Sequence, residues 1–204
     1  MCGIVGYVGK RPVQDLLLAG LTRLEYRGYD SAGISMVAGD AIESVRAVGN
    51  LEQLRLAVAA RDEEDGGAVA TATRTATTGI GHTRWATHGR VNEENAHPHF
   101  DTSERVHVVV NGIVENYLAL RERLSDMGAV FTSETDAEVI AHLVAHHKAG
   151  LGRLDADRSF QDARPDAARS TPLVEAVRAA YAELEGHYAF VALSLDEPET
   201  LVGA

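Results

Sequence analysis

The chain predicts a single domain in which helices and strands are mixed. Its 204 residues make one domain and suffice to bury a core without disulfides or a structural metal. Hydrophobic residues at 45% and charged residues at 24% fall in the globular range and argue against wholesale disorder. Short β-branched runs alternate along the chain with apolar residues at helical spacing.

Taken in order, residues 2–8 form a β-branched run closed by Gly9, a strand starting almost at the first residue. Pro12 opens a helix in which Val13, Leu16, Leu17, Leu21 and Leu24 recur at i, i+3 and i+4, and Gly28 ends it. Residues 32–37 and 43–48 read as a strand pair turning at Gly39-Asp40, and helical spacing returns over 51–61. Strands over 79–83 and 106–110 flank a polar loop from Arg84 to Arg105. A helix over 116–127 ends at Gly128. Thr135-Asp136-Ala137-Glu138 then reads as a capping box opening an apolar helix through Val139, Ile140, Leu143 and Val144. Pro172 opens a last helix that Gly186 stops, and strands over 187–194 and 200–202 follow. Two stretches lack apolar periodicity, the acidic then Gly-, Ala- and Thr-rich 62–78 and the Asp/Arg-rich 152–170; both are expected as surface insertions. The last strand ends at Ala204 without a polar tail, the pattern of a domain that is C-terminally incomplete, with a sheet edge prone to associate.

A formal net charge of −11 repels phosphate backbones and anionic lipid, so neither nucleic acid nor a membrane is expected as a partner. An anionic ligand would need placed arginines. Cys2 is the single cysteine, so no internal disulfide or cysteine-based zinc site can form, and a reducing, cytoplasmic setting fits. No apolar run approaches a bilayer span, and no signal peptide is evident. Of nine histidines, His97-Pro98-His99 and His146-His147 offer chelating pairs, but no carboxylate or cysteine stands at ligand spacing; neither metal nor cofactor is expected.

By position and type Cys2 reads first as a small apolar residue at a strand start, and secondly as a nucleophile. The second reading has a physical basis. Excision of Met1 would leave Cys2 with a free α-amine, which titrates at about 7.7–8.0 and can act as base for the thiol of its own residue. Asn111-Gly112 is the favoured pair for a tight hairpin, yet Ile113 and Val114 lead into a helix; the alternative is an oxyanion hole of one side-chain amide and one backbone N–H. Residues 81–89, Gly-His-Thr-Arg-Trp-Ala-Thr-His-Gly, are the densest polar cluster; Trp85 reads as a core anchor or a loop residue, and Arg84 as a surface charge or a carboxylate grip. Asp136 suits a helix start, and would also suit a substrate ammonium. Arg27 and Asp30 read by themselves as structural.

Six ordered motifs then resemble one family: Cys2-Gly3-Ile4-Val5-Gly6, Arg27-Gly28-Tyr29-Asp30-Ser31-Ala32-Gly33, the 81–89 run, Asn95-Ala96-His97-Pro98-His99, Asn111-Gly112 and Ser133-Glu134-Thr135-Asp136. Together they resemble the glutaminase domain of class II glutamine amidotransferases, in wording nearest the glutamine–fructose-6-phosphate aminotransferases. The resemblance spans residues 2–204 apart from the two insertions. It implies an α+β fold, the four-layer αββα sandwich of N-terminal-nucleophile hydrolases. It implies that Cys2 attacks the side-chain amide of L-glutamine while Asn111 and Gly112 hold the oxyanion. Arg84 would bind the α-carboxylate and Asp136 the α-ammonium, with Thr87 and His88 completing the pocket. Trp85 would gate ammonia, and Arg27 and His97 would border the site. The family's sugar-isomerase domains, which bind fructose 6-phosphate, are absent from this chain, and the full-length protein would be a homodimer. The alternative is a catalytically silent glutamine- or glutamate-binding fragment.

Overall fold

A computed structural model describes residues 2–64, 68–86, 89–157 and 170–204, with the side chains of 27, 64, 68–70 and 152–157 outside that description. Two antiparallel four-stranded sheets stack face to face. The first runs β1 (Gly3–Val8), β4 (Thr78–Arg84), β2 (Ser31–Ala38), β3 (Ala41–Val48); the second runs β5 (His99–Phe100), β6 (Val106–Val114), β7 (Gly186–Ser194), β8 (Leu201–Gly203).

Side chains alternate across each strand, so every central strand feeds two cores. From β2, Ala32, Ile34 and Met36 pack outward against Leu17 and Leu21 of α1 (Gln14–Thr22) and Leu51 and Leu54 of α2 (Leu51–Glu64). From β6, Val108 and Val110 face α4 (Tyr117–Asp126), α5 (Glu138–Asp157) and α6 (Pro172–Glu183), meeting Ile140, Leu143, Leu173 and Val177. Val37, Ile80, Val109 and Leu193 fill the space between the sheets. Each fully buried Leu or Phe contributes about 1.5–3 kcal/mol. A polar bridge crosses this middle layer: the His107 ring lies with Nδ1 2.9 Å from the Ser35 hydroxyl and Nε2 3.3 Å from the Glu104 carbonyl. The layers are therefore αββα, as the motifs imply.

Several boundaries differ from the expectation. Part of 62–78 is helical: α2 runs on to Glu64, and α3 (Ala68–Thr75) follows. Alanine's helix propensity supports α3, and among its described side chains Thr73 turns inward; its short Gly-, Ala- and Thr-rich sequence reads as a loop. Helix α5 likewise continues through Asp157 into the second stretch, whose residues 158–169 lie outside the described residues. Strand β6 runs on through Asn111-Gly112 to Val114, paired with β7 throughout, so no hairpin turns there. The capping box also takes another form. Glu138 does not return to Thr135 but accepts from the backbone N–H groups of Thr132 (2.7 Å) and Ser133 (2.8 Å) and from the Ser133 hydroxyl (2.6 Å).

Candidate active site

Chain termini usually fray, but the β1–β4 ladder pairs Gly3 with Thr83 and so lays Cys2 beside the end of β4. There the Trp85 backbone N–H donates to Cys2 Sγ at 3.2 Å, and Sγ lies 3.7 Å from the Trp85 carbonyl. Arg84, the last residue of β4, is buried. Its Nη1 donates to the Arg90 carbonyl at 3.3 Å and stands 3.8 Å from Asp30 Oδ1. Burial lowers the Arg84 pKa, and neighbouring Asp30, Cys2 and Asp136 pull it back up; arginine stays charged.

Asp30 organises this turn. Its backbone N–H donates to the Arg84 carbonyl at 2.8 Å, and its Oδ2 accepts from the Ala86 N–H at 2.5 Å. Asp30 is thus structural, as its sequence position suggests, and holds the peptides on both sides of Trp85.

The second sheet supplies the opposite wall. Gly112 sits in β6 at φ +121°, and a Cβ there would lie 2.1 Å from the His187 carbonyl oxygen, so only glycine fits. Asn111 Oδ1 lies 2.9 Å from His82 Nε2 on β4. Just ahead of α5, Asp136 Oδ2 accepts from the Val114 N–H at 2.7 Å, two residues past Gly112. The segment carrying Asp136 is held from several sides. Glu138 grips Thr132 and Ser133, Arg121 donates to the Ser133 carbonyl at 2.9 Å, and Asn95 Oδ1 accepts from the Glu134 N–H at 2.8 Å. The Thr135 hydroxyl meets His99 Nε2 at 2.9 Å.

These elements enclose a cavity of about 30 Å³ lined by Cys2, Arg84, Trp85, His97, Gly112 and Asp136, together with Val110, Thr135 and Ala137. Larger recesses of about 480 and 500 Å³ lie beside Pro172 and Pro198 and beside Val202, and neither is lined by the thiol. The cavity thus joins a thiol, a guanidinium and a carboxylate. Such a pair of opposite charges suits the two charged groups of an α-amino acid, and the thiol supplies a nucleophile.

Six of the ten residues singled out from sequence line this one cavity, and Asn111 adjoins it through Gly112. Trp85 is 54% exposed, which sets aside its reading as a core anchor. Thr87 and His88 lie outside the described residues, as does the side chain of Arg27. Sequence reasoning assigned no role in supporting the site to His82, His99 or Glu138, although all three stood within quoted motifs, because only the fold reveals their partners. His97 and His99 are buried rather than poised to chelate. Among the described residues no group of three His, Cys, Asp or Glu is placed to hold a metal, and no helix is long and apolar enough to cross a membrane.

Residues 36–156 match the glutamine amidotransferase domain family. The glutamine–fructose-6-phosphate aminotransferase (isomerizing) of Gloeobacter violaceus is 48% identical over 99% of this chain and 28% of its own length. That of Mycolicibacterium smegmatis is 44% identical over 100% of this chain and 29% of its own. The chain thus spans less than a third of these relatives. Two solved structures share the fold. One is the glutamine phosphoribosylpyrophosphate amidotransferase from B. subtilis complexed with ADP and GMP, with TM-score 0.62, 22% identity, and coverage of 96% of this chain and 35% of that one. The other is described as the allosteric regulatory enzyme of purine biosynthesis, with TM-score 0.65, 21% identity, and coverage of 100% and 37%. With a thiol, a guanidinium and a carboxylate converging at the ends of two stacked sheets, and with close relatives along its whole length, this chain belongs to the glutamine amidotransferase domain family.

Proposed function

We propose that this chain hydrolyses the side-chain amide of L-glutamine to glutamate and ammonia, with Cys2 as nucleophile. With Met1 removed, the α-amine of Cys2 takes the thiol proton as sulfur attacks the amide carbon. Asn111 Nδ2 and the Gly112 N–H stabilise the oxyanion, and the same proton passes to the departing nitrogen, releasing ammonia. Water then cleaves the γ-glutamyl thioester, giving glutamate and restoring the thiol. Arg84 holds the substrate α-carboxylate and Asp136 its ammonium. Thr87 and His88 complete the pocket, and Arg27 and His97 border it. A cavity of about 30 Å³ is smaller than glutamine, so entry displaces a wall; Trp85, the most exposed lining side chain, is the one that swings. The ammonia serves amination of fructose 6-phosphate by further domains of a longer, homodimeric cytoplasmic protein, in keeping with the activity for which its relatives are named.

The observation carrying this reading is the presence of Cys2, Arg84 and Asp136 in one cavity beside Gly112. The test is glutamate release from glutamine by protein whose N-terminus is shown by intact mass to be Cys2, beside Cys2→Ala. Wild type should turn over and Cys2→Ala should not. Equal rates, or glutamate binding without any turnover by wild type, would overturn it.

A further inference from the structure

Between the sheets, three buried histidines form a column. The His82 and His97 rings lie 4.2 Å apart between centroids, and His97 and His99 lie 4.4 Å apart. One end of the column meets Asn111 through His82 Nε2 at 2.9 Å; the other meets the Thr135 hydroxyl through His99 Nε2 at 2.9 Å. Gly33 makes room for it, because a Cβ there would stand 2.3 Å from the His97 carbonyl oxygen. The mechanism above uses neither His82 nor His99.

We propose that His82 is a positioning residue for the reaction, fixing which end of the Asn111 amide faces the oxyanion. The inference rests on the glutaminase reading and deepens it. Two arrangements of the pair are chemically conceivable. In one, His82 Nε2–H donates to Asn111 Oδ1. In the other, Asn111 Nδ2 donates to a bare Nε2, which places the ring proton on Nδ1. His82 Nδ1 has no hydrogen-bond partner. A proton there would be a buried, unsatisfied donor, whereas a bare lone pair is tolerated better. The first arrangement therefore holds. Burial opposes a doubly protonated ring, lowering the His82 pKa to about 4 against Asn111 and the Val110 backbone, which favour the charged form.

The consequence for Asn111 is directional. With Oδ1 committed to His82, Nδ2 with its two protons points away and serves as the oxyanion donor. Without His82 the amide can turn over and present Oδ1, an acceptor, to a developing negative charge. The tilted contact of His82 with His97, which in turn meets His99 edge-on, packs the His82 ring within the column.

The test uses the chain with Cys2 as its first residue and compares wild type, His82→Phe, His82→Gln, Asn111→Ala and the His82→Phe/Asn111→Ala double variant, with melting curves confirming that each folds. His82→Phe should lower kcat for glutamine hydrolysis about 10²-fold, the scale of losing one oxyanion donor, and leave KM within about twofold. His82→Gln, which restores an N–H, should recover about tenfold of that loss. In the Asn111→Ala background His82→Phe should do nothing further. Equal losses in both backgrounds, or a rise in KM without a fall in kcat, would overturn the proposal. Nitrogen-15 NMR of the histidine ring supplies a readout apart from turnover. His82 should be neutral with its proton on Nε2 at pH 7, and the Asn111 side-chain NH2 signal should shift in His82→Phe. A proton on Nδ1 would overturn the proposal even in active protein. An inactive wild type with the expected tautomer would instead remove the glutaminase reading and leave the orientation of Asn111 established.

Discussion

Gly112 shows how much one position can fix. Its φ of +121° and the 2.1 Å approach of the His187 carbonyl leave no space for a methyl group. Gly112→Ala therefore carries about 1–3 kcal/mol of backbone strain before any clash with the β6–β7 ladder is counted. The expected result is a lower urea midpoint and at least about a 10²-fold loss of turnover, because the N–H offered to the oxyanion moves with the strand. Unchanged stability and rate would show that the strand bends freely. From sequence, Asn111-Gly112 was open to two readings, since the same dipeptide serves hairpins. What separates them is a partner 76 residues on, the β7 strand facing Gly112 at Tyr188, which no local pattern could reveal.

Among the elements, the start of α5 is the most dependent on one side chain. Glu138 is buried, and burial alone would raise its pKa; the His142 ring 3.7 Å away and hydrogen bonds from Ser133 and Thr132 outweigh that and hold it below the usual carboxylate range. Glu138→Ala leaves several buried donors without an acceptor at about 1–3 kcal/mol each. Chemical denaturation should show a loss of about 3 kcal/mol or more, and KM for glutamine should rise because Asp136 rides on the loosened segment. A loss of stability with KM unchanged would separate Asp136 from this support. The four-residue pattern announced a helix start correctly, while the bonds went to Thr132 and Ser133 because Thr135 is drawn away by Ser133 and His99. Strand pairs and the longer helices were legible from their apolar residues and from the glycines and prolines that bound them. Helix α3 was not, being short and alanine-rich. Cys2, Arg84 and Asp136 were legible as polar residues at element ends. The support of His82 and His99 was not, with partners 29 and 36 residues away.

At the scale of the molecule, burial holds His82, His97, His99 and His107 below the ordinary histidine value, with His82 and His107 near 4. The unfolded chain takes up these protons at about pH 6.5, while the fold refuses them until lower pH. Below pH 6.5 the unfolded state therefore binds more protons, and stability falls on acidification by about 1.4 kcal/mol per pH unit for each histidine so engaged. Above that pH these groups contribute no slope. Urea midpoints measured from pH 8 to pH 4.5 should be level to about pH 7 and then fall; a flat profile would mean the column takes up protons without cost.

Strand β6 also acts as a calliper. Asp136 is fastened to the N–H of Val114, two residues beyond Gly112, so in the proposed mechanism the grips on the ammonium and on the amide carbonyl would be measured off against one strand. On that mechanism a homologue of the substrate shortened by one methylene, asparagine, should fail to reach both jaws at once. Discrimination of about 10–200-fold against it then follows from spacing alone.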